Sequence, residues 1–147
     1  MSTSLLYHAF GIRGYRYTRT DYQGGQVIFT IRQGPETCRC SACGARDVRP
    51  RGCVTRRFRS LPIAGRSTFV VLPIPRVQCS ACGRVRQVEV PFVDPRRSYT
   101  RPFERYALEL SRRMTIRDVA LHLGVGWDVI KEIQKRDLAR RFGAVPK

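Results

Sequence analysis

Two Cys-x-x-Cys-Gly segments have the residue types and the spacing for metal chemistry. The five letters CSACG occupy Cys40–Gly44 and recur without change at Cys79–Gly83. Such a turn directs two thiolates to one point, and two turns together supply the four sulfur ligands that structural zinc prefers. The repeat therefore predicts one structural Zn2+ whose ligands are its four cysteines, Cys40, Cys43, Cys79 and Cys82.

The two remaining cysteines are expected to play no part in this metal site. Cys38 competes with Cys40 in position, but only Cys40 has the two-residue gap to Cys43, and Cys53 lies alone. A redox role is disfavoured because reactive dithiols occur singly and not as matched pairs. Thirty-five residues separate Cys43 from Cys79, more than in compact four-cysteine motifs, which predicts a ribbon with long arms.

A second candidate site is a segment with the layout of a helix-turn-helix, Ile116–Ile133. Ala120 is small where two helices would cross, and Gly124 suits a turn that needs a positive φ. The second helix would then lie in the major groove of DNA, unless the segment is an ordinary three-helix unit with a charged solvent face. The apolar positions that would pack the helices together are Val119, Leu123, Val125, Ile130 and Ile133.

The outward residues of the second helix are the candidate DNA contacts. Gln134 could read adenine and Asp128 could accept from the amino group of cytosine, whereas lysine and arginine more often meet phosphates. Trp127 could touch DNA, or it could pack on the first helix or on the zinc module. The complete predicted set of DNA-binding residues is Trp127, Asp128, Lys131, Gln134, Lys135, Arg117 and Arg136.

The net charge of the chain favours a polyanionic partner. Lysine and arginine number 28 against 11 acidic residues, which gives a net charge of +17 and a pI of about 10.9. Residues 1–95 and residues 96–147 are both basic, so both parts are expected to meet phosphates. A biased base composition of the gene would also raise the arginine content, but acidic residues could rise with it, and here they do not.

The same sequence speaks against an enzyme and against a membrane protein. It has no grouping of serine, histidine and aspartate, no phosphate-binding glycine loop and no carboxylate cluster, and neither His8 nor His122 is expected to be a ligand. No apolar run approaches the roughly 20 residues of a membrane helix, and the N-terminus lacks the features of a signal peptide. We therefore expect a cytoplasmic, nucleoid-associated protein with reduced thiols.

An α+β fold is expected to position these sites. It comprises a β-rich four-cysteine zinc-ribbon-like module followed by a three-helix helix-turn-helix module. An N-terminal β-hairpin region is predicted over residues 1–34, because an alternating run at Tyr15–Tyr22 and a second alternating run flank Gly24-Gly25. Leu5–Phe10 could form either a short helical turn or a strand.

The zinc-binding module is predicted over residues 35–91. The β-branched run Phe69–Leu72 is expected to lie at a sheet edge or to end there, because Pro73 and Pro75 follow it. Residues 92–101 are rich in proline and have no periodicity, which predicts a linker between the two modules.

Residues 102–147 are predicted to form the helix-turn-helix module. A new helix is expected to start after Thr115, whose spacing to Asp118 resembles a capping box. A further helix should run from about Trp127 to Arg141 and end near Gly143. The first helix of the module follows from apolar residues on one face, Phe103, Tyr106, Ala107, Leu110 and Met114, with Pro102 in its first turn.

Both CSACG repeats, Arg76–Arg86, Val90–Val93 and Val119–Lys131 together carry a family resemblance. In these segments the chain resembles the N-terminal region of transposases of the ISL-three insertion-sequence family, and the similarity runs from about Gly11 to Phe142. The resemblance implies a zinc-binding domain and a helix-turn-helix that recognise the terminal inverted repeats of a mobile element.

In that family, catalysis belongs to a following domain with a ribonuclease-H-like fold and a metal-binding triad of acidic residues. Lys147 lies where such a domain would begin. The resemblance therefore implies the DNA-binding portion of a transposase without its catalytic domain, either as a fragment or as a short gene product, and not an enzyme.

Two other functions remain open from the sequence. One is a standalone helix-turn-helix transcription regulator, although no dimerisation or ligand-sensing part is recognisable. The other, less favoured, is an RNA-binding zinc-ribbon protein. The expected partners are double-stranded DNA and, among proteins, a full-length transposase or a second copy of the chain; no membrane partner is expected.

Overall fold

The computed structural model describes residues 3–143 and divides into two compact units, Met1–Thr100 and Arg101–Lys147. The first unit contains the four-cysteine cluster within a β-sheet, and the second is helical. This confirms the expected α+β class, with a zinc-ribbon-like part preceding a three-helix part.

The first unit is built on one twisted sheet. Its strands lie in the order β1-β2-β4-β3, with β5 paired to β4 beyond the end of β2. All neighbouring strands are antiparallel except β2 and β4, which are parallel. The elements in chain order are α1 (Thr3–Phe10), β1 (Tyr15–Gln23), β2 (Gln26–Gln33), a short 3-10 turn (Pro35–Thr37), β3 (Val48–Ile63), β4 (Arg66–Cys79) and β5 (Val85–Gln87).

Two hairpins of this sheet, β1–β2 and β3–β4, turn on a pair of residues with positive φ. Gly24 and Gly25 join β1 to β2 at φ values of 54° and 76°, and Ala64 and Gly65 join β3 to β4 at 49° and 75°. Two consecutive residues in this region match the twist of the flanking strands. The long β3–β4 hairpin is the ribbon with extended arms that the cysteine spacing predicts.

The parallel pairing of β2 with β4 joins the N-terminal hairpin to the zinc-binding segment. Val27 to Thr30 lie opposite Thr68 to Val71 in one continuous sheet. The expected boundary between residues 34 and 35 therefore does not separate two modules. Alternation along a strand shows which side chains share a face, but it does not show which distant strand lies alongside.

The stretch expected as a linker, residues 92–101, is for the most part packed onto this unit. Phe92 is buried between Tyr15 and Phe58, with ring centroids 5.2 and 5.9 Å away in edge-to-face contacts. Arg59 N–H donates to the carbonyl of Ser98, so the chain then runs beside β3. Irregular backbone with several prolines can still bury apolar side chains, and its lack of periodicity predicted only that it is neither helix nor strand.

Strand β4 continues through Pro73 and Pro75, which corrects the expectation of an edge or an end. The Pro75 carbonyl accepts a 3.0 Å hydrogen bond from Val88 N–H. The nitrogens of both prolines therefore face away from β3, because a strand residue points its N and its C=O to the same side. Strand β2 pairs with β4 only as far as Val71, so no partner requires the missing N–H groups.

The second unit consists of α2 (Arg101–Ser111), α3 (Ile116–Leu123) and α4 (Trp127–Phe142). Met114, expected on the first of these helices, lies beyond its end, because Arg113 N–H bonds to Leu110 in a tighter turn and Thr115 is extended. In residues 3–143 no helix is both long and apolar enough to cross a membrane. The buried apolar side chains of these three helices include Phe103, Ala107, Val119, Ala120, Leu123, Ile130 and Ile133.

Candidate functional site

The two Cys-x-x-Cys-Gly segments fold into matching knuckles. In the first, Cys40 N–H donates to the Ala45 carbonyl at 3.0 Å, and Gly44 N–H donates to the Cys40 carbonyl at 2.8 Å. Cys79 and Gly83 make the equivalent bonds in the second knuckle at 3.0 and 2.9 Å. Both glycines have a positive φ, 75° and 72°, which other residues rarely adopt. The two identical pentapeptides therefore adopt the same hydrogen-bonded turn.

The β3–β4 ribbon brings the knuckles together. The first knuckle precedes β3 and the second ends β4, and Val48 lies opposite Cys79 at the base of the ribbon. Ser80 N–H also donates to the Asp47 carbonyl at 3.1 Å, which ties the second knuckle to the loop of the first. Antiparallel pairing therefore closes the gap of thirty-five residues between Cys43 and Cys79.

The four cysteine sulfurs have the spacing of a tetrahedral zinc site. All four Sγ atoms lie within 4.8 Å of one another. Cys40 Sγ is 3.7 Å from Cys82 Sγ, and Cys43 Sγ is 3.5 Å from Cys79 Sγ. A tetrahedron with Zn–S bonds of about 2.3 Å has edges of about 3.8 Å. The donor set and its dimensions therefore fit structural zinc, as the sequence predicts.

Backbone amides stabilise the charged form of the first cysteine in each knuckle. The N–H groups of Cys43 and Ala42 point at the Cys40 sulfur and lower the pKa of that thiol to about 6. The Cys82 N–H lies 3.5 Å from the Cys79 sulfur and is the main cause of its lowered pKa. Thiolate is the form that binds metal, so these amides favour the metal-binding form of Cys40 and Cys79.

The second cysteine of the first knuckle behaves differently. The Ala45 N–H lowers the pKa of the Cys43 thiol, but the neighbouring sulfurs, Cys79 first, and desolvation by the atoms around it together outweigh this effect and raise the pKa to about 11. Cys40 and Cys79 are buried, whereas Cys43 and Cys82 are exposed. The cluster therefore lies at the surface of the unit, with one cysteine of each knuckle facing inward.

Cys38 and Cys53 lie outside this cluster. Cys38 is buried with its sulfur 3.8 Å from the Gly34 carbonyl, and burial is the main cause of its raised pKa. Cys53 is exposed on β3, opposite Pro75. Neither belongs to the group of four sulfurs that could hold an ion.

The helical unit contains a helix-turn-helix with a well-defined turn. Thr115 begins α3, and its hydroxyl accepts a 3.1 Å bond from Asp118 N–H. Gly124 ends it at a φ of 68°, with Gly124 N–H bonded to Leu121 and Val125 N–H bonded to Ala120. This is the Schellman arrangement, which needs a left-handed residue at the position of Gly124.

Three of the seven predicted DNA contacts lie on one exposed stripe of α4. Trp127, Lys131 and Lys135 follow one another at intervals of four residues and lie on the solvent side of the helix. Lys131 Nζ lies 5.3 Å from the centre of the Trp127 ring, a cation–π distance. Trp127 is thus 58% exposed and contacts the helix's own lysine.

The remaining predicted contacts are placed less uniformly. Asp128 is exposed in the first turn of α4, and Arg117 is exposed in the first turn of α3. Gln134 is half-buried and lines a groove with Arg105 of α2 and with Arg112, which follows the end of that helix. Gln134 therefore lies at the margin of the exposed stripe and not at its centre.

Arg136, one of the predicted DNA contacts, forms an ion pair within the helical unit. Its Nη1 atom lies 3.6 Å from a carboxylate oxygen of Glu104, and its side chain is only 23% exposed. Arg140 donates to the other carboxylate oxygen at 2.8 Å, and Glu104 is almost completely buried. Arg136 thus belongs to an ion-pair cluster within the helical unit. Spacing could have revealed it, because Ile133, Arg136 and Arg140 share the inward face of α4.

Sequence reasoning overlooked two exposed apolar side chains on the stripe. Leu138 is 53% exposed and Phe142 is 76% exposed, at helical intervals from Trp127. Both residues could have been identified from the sequence, because they follow the same helical periodicity as Lys131 and Lys135. His8 and His122 are both exposed, and neither lies in the cysteine cluster.

Comparison with known proteins identifies both parts of the chain. Residues 36–82 match the family model described as the zinc-finger of transposase IS204/IS1001/IS1096/IS1165. Residues 88–138 match the model described as the helix-turn-helix domain of transposase family ISL3. No curated protein and no solved structure matches the chain. The two matches occupy consecutive segments and together span about two thirds of the sequence. The chain therefore matches the N-terminal region of ISL3-family transposases and carries the zinc-finger and helix-turn-helix domains of that family.

Proposed function

We propose that this chain is the DNA-binding portion of a transposase and that it recognises the terminal inverted repeats of its insertion sequence through α4. The observation that carries the proposal is the left-handed turn at Gly124, which joins α3 to a second helix with an exposed cationic stripe. Helix-turn-helix proteins place the N-terminal residues of that second helix against base edges in the major groove.

The proposed contacts divide into two kinds. Lys131, Lys135 and Arg117 would neutralise phosphates and position the helix without reading sequence. Gln134 would read adenine and Asp128 would accept from cytosine, which would supply specificity. Trp127 would hold the Lys131 ammonium in place and bury its own ring against the groove. Arg136 is left out of this set because it already pairs with Glu104.

The zinc site would serve the fold and not a reaction. We propose Cys40, Cys43, Cys79 and Cys82 as the ligands, which leaves no open position for a substrate or a water. A bound ion would lock the base of the β3–β4 ribbon. It would add folding free energy to a unit whose knuckles contribute little apolar surface of their own.

The contacts of the acidic side chains in residues 3–143 also agree with a binding role. Cleavage of DNA by two metal ions needs carboxylates that converge on the metals. Among the described residues, the only group of side chains close enough to hold a metal ion is the cysteine cluster, and five of the eleven acidic residues, Asp21, Glu36, Glu104, Glu109 and Asp137, each pair with an arginine. We propose that these residues contribute to structure and that strand cleavage is the task of other parts of a transposase.

The test is a comparison of duplexes by fluorescence anisotropy at fixed salt. One labelled duplex carries the inverted repeats that bracket the gene, and the other has the same bases in scrambled order. We expect the repeats to bind roughly 10³-fold more tightly or better. Equal affinities, or a structured RNA that competes as well as the repeats, would contradict the proposal.

Two variants separate positioning from reading. Lys131→Gln should weaken binding to the repeats and to the scrambled duplex by the same factor. Gln134→Ala should leave scrambled binding unchanged and reduce the preference for the repeats, by about 1–3 kcal/mol for a good base contact. Arg112→Gln removes the same charge from an arginine already paired with Glu109 and should change neither.

A further inference from the structure

A second cationic surface lies on the zinc-binding unit, close to the second knuckle. It is formed by β3, β4 and β5 and consists of Arg49, Arg51, Arg76, Gln78 and Gln87, which we call the ribbon arginine surface. Gln78 is half-buried, and the other four side chains are exposed.

The strand register places most of these side chains on one face. Arg49 lies opposite Gln78 across β3 and β4, and Arg76 lies opposite Gln87 across β4 and β5. Arg76 and Gln78 are two residues apart on β4, so both point away from the intervening Val77, which is buried in the core. The face is therefore the solvent side of a three-stranded region.

Within residues 3–143, the cations of this surface have no carboxylate partner. Arg51 donates from Nε to the Gln78 side-chain oxygen at 2.9 Å, which keeps its guanidinium on the same face. Among the described residues, neither Arg49, Arg51 nor Arg76 forms an ion pair. By contrast, Arg16 and Arg19 on β1 pair with carboxylates at 3.1 Å. Three guanidinium groups remain available for an external anion.

Protection of a sheet edge does not explain the whole surface. Arg49 and Arg51 lie on β3, an outer strand, where charged side chains can prevent strand-to-strand aggregation. Arg76 lies on β4, which has a neighbour on both sides at this point. A charge on an inner strand gives no such protection, so edge protection does not account for Arg76.

We propose that the ribbon arginine surface binds the phosphate backbone of double-stranded DNA without regard to sequence. Guanidinium groups match phosphate geometry, and glutamine amides donate to phosphate oxygens as well. The proposal rests on the proposed function in one respect: duplex DNA is favoured over RNA because the same chain carries a helix-turn-helix. It adds a second binding surface, on the unit that contains the zinc site.

The zinc site would hold this surface in shape. Gln78 immediately precedes Cys79, and Arg49 follows Val48, which lies opposite Cys79. An ion that binds both knuckles would therefore fix the spacing between the β3 and β4 arginines. Metal removal should weaken binding at this surface as well as loosen the fold.

The decisive experiment compares two variants of the full chain that lose the same charge. The test variant is Arg49→Gln, Arg51→Gln and Arg76→Gln, and the control is Arg16→Gln, Arg19→Gln and Arg112→Gln, whose arginines are paired with carboxylates. The probe is a random-sequence duplex of about two helical turns, with its dissociation constant measured at several salt concentrations. Zinc content and circular dichroism verify that both variants are folded.

The expected result is a change in salt dependence for the test variant alone. The slope of log K against log salt should fall by about 0.9 for each phosphate that the variant no longer neutralises, and affinity near 0.1 M salt should drop by at least about tenfold. Preference for inverted repeats over scrambled DNA should stay unchanged. If the triple variant loses zinc, Arg76→Gln alone should still lower the slope by about 0.9.

Other outcomes overturn the proposal in distinguishable ways. Equal losses in the test and control variants would indicate a general charge effect. An unchanged test variant beside a weakened Lys131→Gln would reject this surface and leave the proposed function standing. A weakened test variant beside an unaffected Lys131→Gln would reject the helix-turn-helix proposal instead. Tighter binding to structured RNA than to the duplex would reject DNA as the partner.

Discussion

Glu104 of α2 accepts a 2.8 Å hydrogen bond from Arg140 of α4, and its carboxylate is almost completely buried. Arg136 approaches the second carboxylate oxygen at 3.6 Å. Two cations one helical turn apart thus hold a single buried anion and join the first and last helices of the unit. The pair fixes how α4, which carries the proposed DNA contacts, lies against α2.

We expect Glu104→Gln to destabilise the helical unit by about 1–2 kcal/mol, because a buried charge-assisted hydrogen bond is replaced by a weaker neutral one. The partly exposed arginines limit the loss. Urea unfolding followed by helical circular dichroism measures it. Glu109→Gln is the matched control, since Glu109 and Arg112 are exposed and such pairs contribute little. Equal effects of both substitutions would contradict a stabilising role for the ion pairs of Glu104.

Replacing one knuckle cysteine should abolish stable zinc binding. Cys43→Ser removes one of four sulfur ligands from the cluster, so we expect the purified protein to lose its metal and to unfold at a lower temperature. Cys53→Ser is the matched control and should retain one zinc per chain, because Cys53 lies outside the cluster. Atomic absorption measures the zinc content of both variants. An unchanged zinc content in Cys43→Ser would disprove the ligand assignment.

Zinc removal by a chelator should disturb the knuckles more than the rest of the sheet. The buried side chains of the sheet include Phe29, Phe58 and Leu72, which lie in strands β2, β3 and β4 and belong to a core cluster that contains none of the four knuckle cysteines. Hydrogen exchange should therefore accelerate first around the knuckles and β5, and only later at these residues. Simultaneous loss of protection throughout residues 15–79 would show that the sheet depends on zinc as a whole.

Gly124→Ala should destabilise the helix-turn-helix, because the residue adopts a φ of 68° that costs a side-chain-bearing residue about 1–2 kcal/mol. Gly124→Asn should cost less, since asparagine tolerates this conformation better. Thermal unfolding of the two variants measures whether the asparagine variant is more stable than the alanine variant. An alanine variant as stable as the parent would mean that the turn has no such requirement. DNA binding should fall in parallel with the population of the folded unit.

The stability of the first unit should decline in alkali. Burial, and then the charge of Cys38, raises the pKa of Tyr15 to about 12 from an ordinary value of 10.0. The folded state therefore holds the phenol proton more tightly than the unfolded chain does. Its stabilising effect is complete below pH 10 and is lost as the pH rises through about 12. Tyr15→Phe should flatten this decline in urea midpoints, and an identical decline in both proteins would contradict the assignment.

Features that depend on a few neighbouring residues were predictable from the sequence. The CSACG repeats become two matched knuckles, Gly24 and Gly25 make the hairpin turn, and Thr115 and Gly124 bound α3. Each of these features depends on a local backbone preference or on a hydrogen bond within about five residues. The local sequence is therefore sufficient to specify it. The family resemblance follows from the same short motifs.

The sequence by itself therefore determined the four-sulfur donor set, the helix boundaries near the turn and the cationic stripe of α4. Only the tertiary structure decided that β2 lies parallel to β4, that Phe92 belongs to the core, that Arg136 pairs with Glu104 and that Arg49 and Arg76 share a face. These relationships join residues far apart in the chain. They form through packing and strand register, which sequence periodicity leaves undetermined.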